Sequence, residues 1–414
     1  MELYYSFSVL IVVASLFAYL NHRILKLPAT IGIMIIAMAA SLILVLFGEK
    51  LFPETLIHFS SVINEFDFTE VLMCAMLNFL LFAGGIHINI KDLKEQRMPI
   101  VVFSTVSVVI SAFITGVVLY YVLPLVHLNI PFIYCLLFGA LISPTDPIAV
   151  LSVLKKANVS KSLETKVAGE SLFNDGIAVV LFAVILQLAQ GSDFEFSFLN
   201  IFWLVIKEAG GGLLLGILLG FTASRAMRII DDYKLSVLIT LSVVMGGYLI
   251  ARSLHISGPL TMVSAGLFIG DFSKKYKMSE ITKDYLDKFW ELVDEILNAI
   301  LFLFIGLELL LIPAVGNFWL PGIICIVIVL VARFASIWIP TKIVPFKKKF
   351  TTNTIKVLAW GGIRGGVSIA LALSIAEGEH KPFIVSVTYF VVIFSIIVQG
   401  LTIGKFANSK LQKE

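Results

Sequence analysis

The sequence specifies an all-α integral membrane protein of about thirteen transmembrane helices, and three observations carry that expectation. Hydrophobic residues fill 59% of the 414 positions, and the mean hydropathy of +0.99 lies outside the range of water-soluble domains. Thirteen apolar runs, most of the length a helix needs to cross roughly 30 Å of hydrocarbon, follow one another along the chain. These runs are continuously apolar and lack the period-two alternation of barrel strands, which makes them helices.

The runs fall near 4–20, 29–47, 70–88, 99–123, 131–153, 166–189, 198–224, 234–251, 258–271, 289–311, 318–340, 355–376 and 383–404. The first has no basic stretch before it and no small-residue cleavage site after it, so it is expected to be a retained helix. Connections after odd-numbered runs are basic: Arg23 and Lys26 after the first, Lys91, Lys94 and Arg97 after the third, and Lys155, Lys156, Lys161 and Lys166 after the fifth. Continued to the C-terminus, this side holds 25 of the 31 Lys and Arg, whereas the opposite side holds only Lys50, Arg252 and Lys381. Basic loops stay cytoplasmic, so the N-terminus is expected outside and the C-terminus inside a plasma (inner) membrane. A missed or invented helix would have placed basic loops on both sides. No connection exceeds about 20 residues, so no soluble domain is expected and function must lie within the bilayer.

A net charge of +3 gives no basis for a nucleic-acid partner, and membrane lipids are the expected surroundings. Cys74, Cys135 and Cys325 sit in separate apolar runs and read as small core residues. The six histidines show no ligand spacing, and no nucleophile–base pair stands out. Neither a cofactor nor an enzymatic activity is expected.

An odd helix count invites division into a first repeat at 1–190, a linking seventh helix at 191–232 and a second repeat at 233–414, with opposite topologies. Inverted repeats of this kind place discontinuous helices at corresponding positions around a midplane site. In the fifth run, Ser143-Pro144-Thr145-Asp146-Pro147 sets two prolines around Thr-Asp. Each removes a backbone donor, at about 3 kcal/mol in a helix interior, and each drives its predecessor toward extended backbone. In the twelfth run, which is the fifth of the second half, Gly361-Gly362-Ile363-Arg364-Gly365-Gly366 packs four glycines around one arginine. Glycines in membrane helices commonly mark close packing. The matching position and the embedded charge argue for a second break.

A charge at the centre of a membrane helix costs about 2.5–3.5 kcal/mol on insertion scales, so such residues face the protein interior. Asp146, Glu170, Asp175 and Arg364 are of this kind. In the sixth run Ser171 stacks under Asp175 and Glu170 under Asn174, forming a polar stripe about 140° wide on an otherwise apolar helix. A purely structural ionic network accounts for Arg364 and one acid. It leaves two carboxylates and a serine hydroxyl, a donor set suited to a hard cation. Lys207 and Glu208 are adjacent and read as interfacial. Glu291, Asp294, Glu295, Glu308 and Arg333 receive no role.

Ser143-Pro144-Thr145-Asp146-Pro147, Glu170-Ser171-Leu172-Phe173-Asn174-Asp175 and Trp360-Gly361-Gly362-Ile363-Arg364-Gly365-Gly366, in that order, resemble the monovalent cation/proton antiporter family of the NhaP and sodium–proton exchanger type. The resemblance implies a homodimer of thirteen-helix inverted-repeat protomers and a mobile core carrying the ion site. It implies Asp175 as the carboxylate that binds both ion and proton, with Asp146, Ser171 and the Thr145 backbone assisting. It implies that Asn174 is the amide standing where electrogenic relatives have a second acid. Glu170 and Arg364 are implied to form a structural ion pair. Where many prokaryotic members carry Phe-Glu-Gly-Gly in the third helix, this chain has Phe82-Ala83-Gly84-Gly85, which bears on cation preference. The long cytoplasmic tail of some members is not expected here.

Burial penalises a charged carboxylate and a bound cation favours it, so proton and cation compete for one group. With Glu170 taken up in the ion pair and Asn174 uncharged, one titrating acid is left in the stripe, and the expected activity is electroneutral exchange of Na⁺, or else Li⁺ or K⁺, for H⁺ by alternating access. A cation channel is the rival reading, although no filter-like carbonyl loop is visible.

Overall fold

The computed structural model describes residues 2–44, 68–147, 150–151, 154, 159–190, 198–275, 278–308, 318–347 and 349–411. All regular structure among the described residues is helical. Of the positions on which the charge reading rests, Lys50, Lys155, Lys156, Lys277, Lys348 and Lys413 lie outside them, as does the acidic connection from 48 to 67.

Helix α1 (Glu2–Leu20) runs through a π-helical turn and stops at Lys26, whose φ of 54° is left-handed. Asn21 fastens the bend before α2 (Ala29–Ile43), accepting from Leu27 N at 3.3 Å and donating to Leu27 O at 3.1 Å. There follow α3 (Leu77–His87), α4 (Val106–Val122), α5 (Phe132–Leu141), α6 (Lys161–Ala189), α7 (Gly211–Ile230), α8 (Tyr233–Ser253) and α9 (Gly258–Lys275). The remainder comprises α10 (Glu280–Leu307), α11 (Trp319–Ile343), α12 (Thr352–Trp360), α13 (Gly366–Leu373), α14 (Lys381–Phe394) and α15 (Gly400–Leu411), with shorter helical pieces at Phe68–Val71, Ile90–Glu95, Arg97–Ser104 and Phe198–Val205. Several starts carry side-chain caps: Asp232 accepts from Leu235 N at 2.9 Å, Ser279 from Thr282 N at 3.2 Å and Thr351 from Thr354 N at 3.1 Å.

Seven described helical stretches are long and apolar enough to cross a membrane, and Ala29–Ile43, Leu77–His87 and Phe132–Leu141 are shorter apolar helices. Buried apolar side chains form two clusters. One gathers α2, α5, α11, α13, α14 and the second half of α10, with Phe138, Phe302 and Tyr389 among its largest members. The other joins α3, α8, α9 and the first half of α10 around Trp290, whose indole donates to Thr240 Oγ1 at 3.0 Å and whose ring centroid lies 4.5 Å from that of Phe82. Small residues bring the helices of this second body together, since a methyl on Gly85 of α3 would stand 3.0 Å from the Val263 carbonyl oxygen of α9. Helix α10 thus threads both clusters, and α6 packs against both α5 and α9.

Candidate ion site at two crossing helix breaks

Both expected breaks are present. Helix α5 ends at Leu141, Ser143 to Asp146 are non-helical, and helical backbone resumes at Pro147. Helix α12 ends at Trp360 and α13 begins at Gly366. The unwound segments touch through their backbones: Asp146 N donates to Ile363 O at 2.7 Å. Pro147 has no N–H, so the Ser143 carbonyl four residues earlier has no helical donor. Arg364 supplies one, its Nη1 lying 2.5 Å from Ser143 O and 3.0 Å from Pro144 O.

The glycine break is held from the last helical pass. Arg364 N donates to Ser395 Oγ at 2.9 Å, Ser395 Oγ donates to Gln399 Oε1 at 2.5 Å, and Gln399 Nε2 donates to Trp360 O at 2.9 Å. The crossing requires glycine because of its tightness. A methyl on Gly365 would stand 2.7 Å from Asp146 Cβ and 2.8 Å from its Oδ2. The Asp146 carboxylate therefore lies against the start of α13, where helix dipole and free N–H groups favour negative charge.

Helix α6 closes the site. Asn174 Nδ2 donates to Thr145 Oγ1 at 2.7 Å, the Thr145 and Ser171 hydroxyls are 3.1 Å apart, and Thr145 N reaches Asn174 Oδ1 at 3.5 Å. Thr145, Ser171 and Asn174 are buried, Asp146 is half-buried, and Asp175 retains 8% exposure. The carboxylates of Asp175 and Asp146 are close enough to interact electrostatically. Thr145, Asp146, Ser171, Asn174 and Asp175 thus meet where the two breaks cross. Two carboxylates and two hydroxyls gathered there can hold a monovalent cation or a proton. Asn174 is engaged mainly in holding Thr145.

The expected Glu170–Arg364 pair needs correction. The Glu170 carboxylate pairs instead with Arg333 of α11, Oε1 to Nη2 at 2.6 Å, with both side chains buried. Arg333 also donates to Leu358 O at 3.5 Å, tying α6 to α11 and α12. The physical reason is the orphaned carbonyls of the proline break, which draw Nη1 of Arg364 to themselves. Arg364 still feels the field of Glu170 without bonding to it. Sequence reading left Arg333 unassigned and overlooked Ser395 and Gln399. The available signals were a lone cation in an apolar run, which demands a partner, and two polar residues four apart on the final helix. Ala83 is fully buried in α3, and Glu308, at the end of α10, is buried with 4% exposure.

Carboxylates at crossing helix breaks inside an apolar helical bundle define a membrane transporter of small ions. Residues 11–408 match the family described as "Sodium/hydrogen exchanger, transmembrane". Similar proteins include the Na(+)/H(+) antiporter NhaP of Pseudomonas aeruginosa, 45% identical over 97% of each chain. The Na(+)/H(+) antiporter NhaH of Halobacillus aidingensis is 34% identical over 92% of this chain and 91% of its own. Among solved structures, the sodium proton antiporter MjNhaP1 from Methanocaldococcus jannaschii shares the fold with a TM-score of 0.79 at 22% identity, over 99% of this chain and 100% of that one. The chain belongs to the sodium/hydrogen exchanger family and is of its NhaP type. The family is one of transporters, so the chain is not an enzyme.

Proposed function

We propose that the protein exchanges Na⁺ for H⁺ across a bilayer, one for one, with Asp175 as the carboxylate both ligands share. The observation that carries this reading is the junction of Asp175 with the two crossing breaks, where Asp146 and the Thr145 and Ser171 hydroxyls converge. Asp175 releases its proton when a cation arrives to balance the charge, and takes one up when the cation leaves. Asp146 supplies a second carboxylate near the cation, Ser171 and Thr145 supply oxygens, and Asn174 keeps Thr145 in place without adding a titrating charge. Arg364, and the Glu170–Arg333 pair behind it, hold the unwound segments in register.

Alternating access then follows from charge: a core that moves only when its site is neutralised by either ligand exchanges one for the other. The 1–190 and 233–414 halves, joined by the 191–232 helix, are the inverted repeats in this reading. The thirteen helices run from an outside N-terminus to a cytoplasmic C-terminus, and two protomers form a homodimer. The test is cation-dependent collapse of an imposed pH gradient in proteoliposomes, one cation at a time. Collapse by Na⁺, with Li⁺ or K⁺ ranked beside it, supports exchange, whereas steady unitary currents without proton movement would mean a channel.

A further inference from the structure

A second site lies away from the crossing breaks. A cavity of about 380 Å³, within the range of small-molecule pockets, opens between α6 and the helices on its other flank. Val179 and Val180 of α6, with Leu204, Ile256 and Pro259, give it apolar walls. Lys207, Glu208 and His255 bring one acid and two potential cations to the same space. The backbone is specialised there. Ile206–Gly210 is a π-helical turn, and the Glu208 carbonyl accepts from Ser257 N at 3.1 Å. His255, in the turn before α9, has a φ of 52°, uncommon for a non-glycine residue. Trp203, one turn before Lys207, is 68% exposed, as an aromatic at a membrane–water boundary would be.

The charges decide what fits. A bare cation would meet Glu208 beside the repelling ammonium of Lys207, and the cavity is far larger than one ion. An anion alone would meet the repelling carboxylate of half-buried Glu208. A zwitterion satisfies both, and the apolar walls suit a chain attached to it. We propose that this cavity binds a phospholipid with a primary-amine headgroup, its ammonium on the Glu208 carboxylate and its phosphate on Lys207 and His255. A primary ammonium offers three N–H donors to the carboxylate, whereas a choline headgroup offers none. Because α6 carries Asp175 on one stretch and this cavity on another, an occupant would wedge the helix that bears the ion site against its neighbours.

The test is lipid retention by purified full-length protein, read by native mass spectrometry after incubation with equal amounts of phosphatidylethanolamine, phosphatidylcholine and phosphatidylglycerol. It needs no transport assay, so it stands or falls separately from the exchange reading. Wild type should retain the ethanolamine lipid preferentially. Glu208→Gln should lower that retention roughly tenfold, the loss of one charged hydrogen bond, and leave the choline lipid unaffected. Leu204→Trp, which fills the cavity without touching the charges, should exclude the same lipid and keeps the test open if Glu208→Gln fails to fold. Equal retention of the three lipids, unchanged retention by both variants, or displacement of the lipid by Na⁺ in competition at Glu208 would overturn the proposal.

Discussion

The two helix breaks meet at one site but are built from opposite chemistry. The first uses prolines, which delete donors and leave carbonyls such as that of Ser143 facing inward together with the Asp146 carboxylate. The second uses glycines, which remove side chains and let one arginine and bare backbone approach. The proline break is therefore rich in acceptors and negative, and the glycine break is rich in donors and positive. Each completes the other: Arg364 bonds the carbonyls that proline orphaned, and the Asp146 amide bonds the carbonyl of Ile363. The contrast separates two jobs that composition alone would merge, since Asp146 remains beside the ion site while Arg364 is engaged in holding backbone.

This contrast can be tested by substitution, beginning with the group that both breaks surround. Asp175→Asn keeps size and hydrogen bonding but can neither take up a proton nor balance a cation. Exchange in proteoliposomes should fall to background while thermal unfolding in detergent stays close to wild type. Residual exchange would shift the shared site to Asp146. Removing Arg333 comes next, because Arg333→Ala strands the buried Glu170 carboxylate at about 3–5 kcal/mol of stability. Neutralising both, as Glu170→Gln with Arg333→Gln, should recover part of that loss in denaturation measurements. The combination Glu170→Gln with Arg364→Gln should recover none, since Arg364 serves the carbonyls of Ser143 and Pro144; recovery there would restore the pairing that the sequence suggested.

Smaller effects probe the tightness of the crossing. Gly365→Ala places a methyl against the Asp146 side chain and should cost about 1–3 kcal/mol as overpacking, with slower exchange. An unchanged Gly365→Ala transporter would mean that the segments are less closely apposed. Ser171→Ala removes the hydroxyl that meets Thr145, at about 1 kcal/mol, and should appear as a several-fold rise in the cation KM with little change in folding. A normal KM would remove Ser171 from the site.

The breaks themselves were legible because proline and glycine act on their own backbone. Pro144 and Pro147 announce unwinding without any knowledge of what they touch, and the run from Gly361 to Gly366 does so through its matching position and embedded arginine. The polar stripe of α6 was equally readable, since helical periodicity alone aligns Ser171 with Asp175 and Glu170 with Asn174. Pairing was not readable. Arg333 and Arg364 are both isolated cations in apolar runs, and nothing local ranks them as partners for Glu170. A count of orphaned carbonyls would have helped, because Pro147 leaves Ser143 in need of a donor and Arg364 is the donor that the opposite break offers. The two apolar clusters were also hidden, as each gathers residues far apart in the sequence and α10 belongs to both.

The central claim is that one carboxylate, Asp175, exchanges one proton for one cation, with Asn174 adding no second titrating group. Exchange in proteoliposomes clamped at a series of membrane potentials tests it most directly. The account predicts that both the rate and the final cation gradient are independent of voltage. A steady-state gradient that moves with the clamped potential would contradict it, showing net charge movement and a second proton carried by another group, with Asp146 the first to examine.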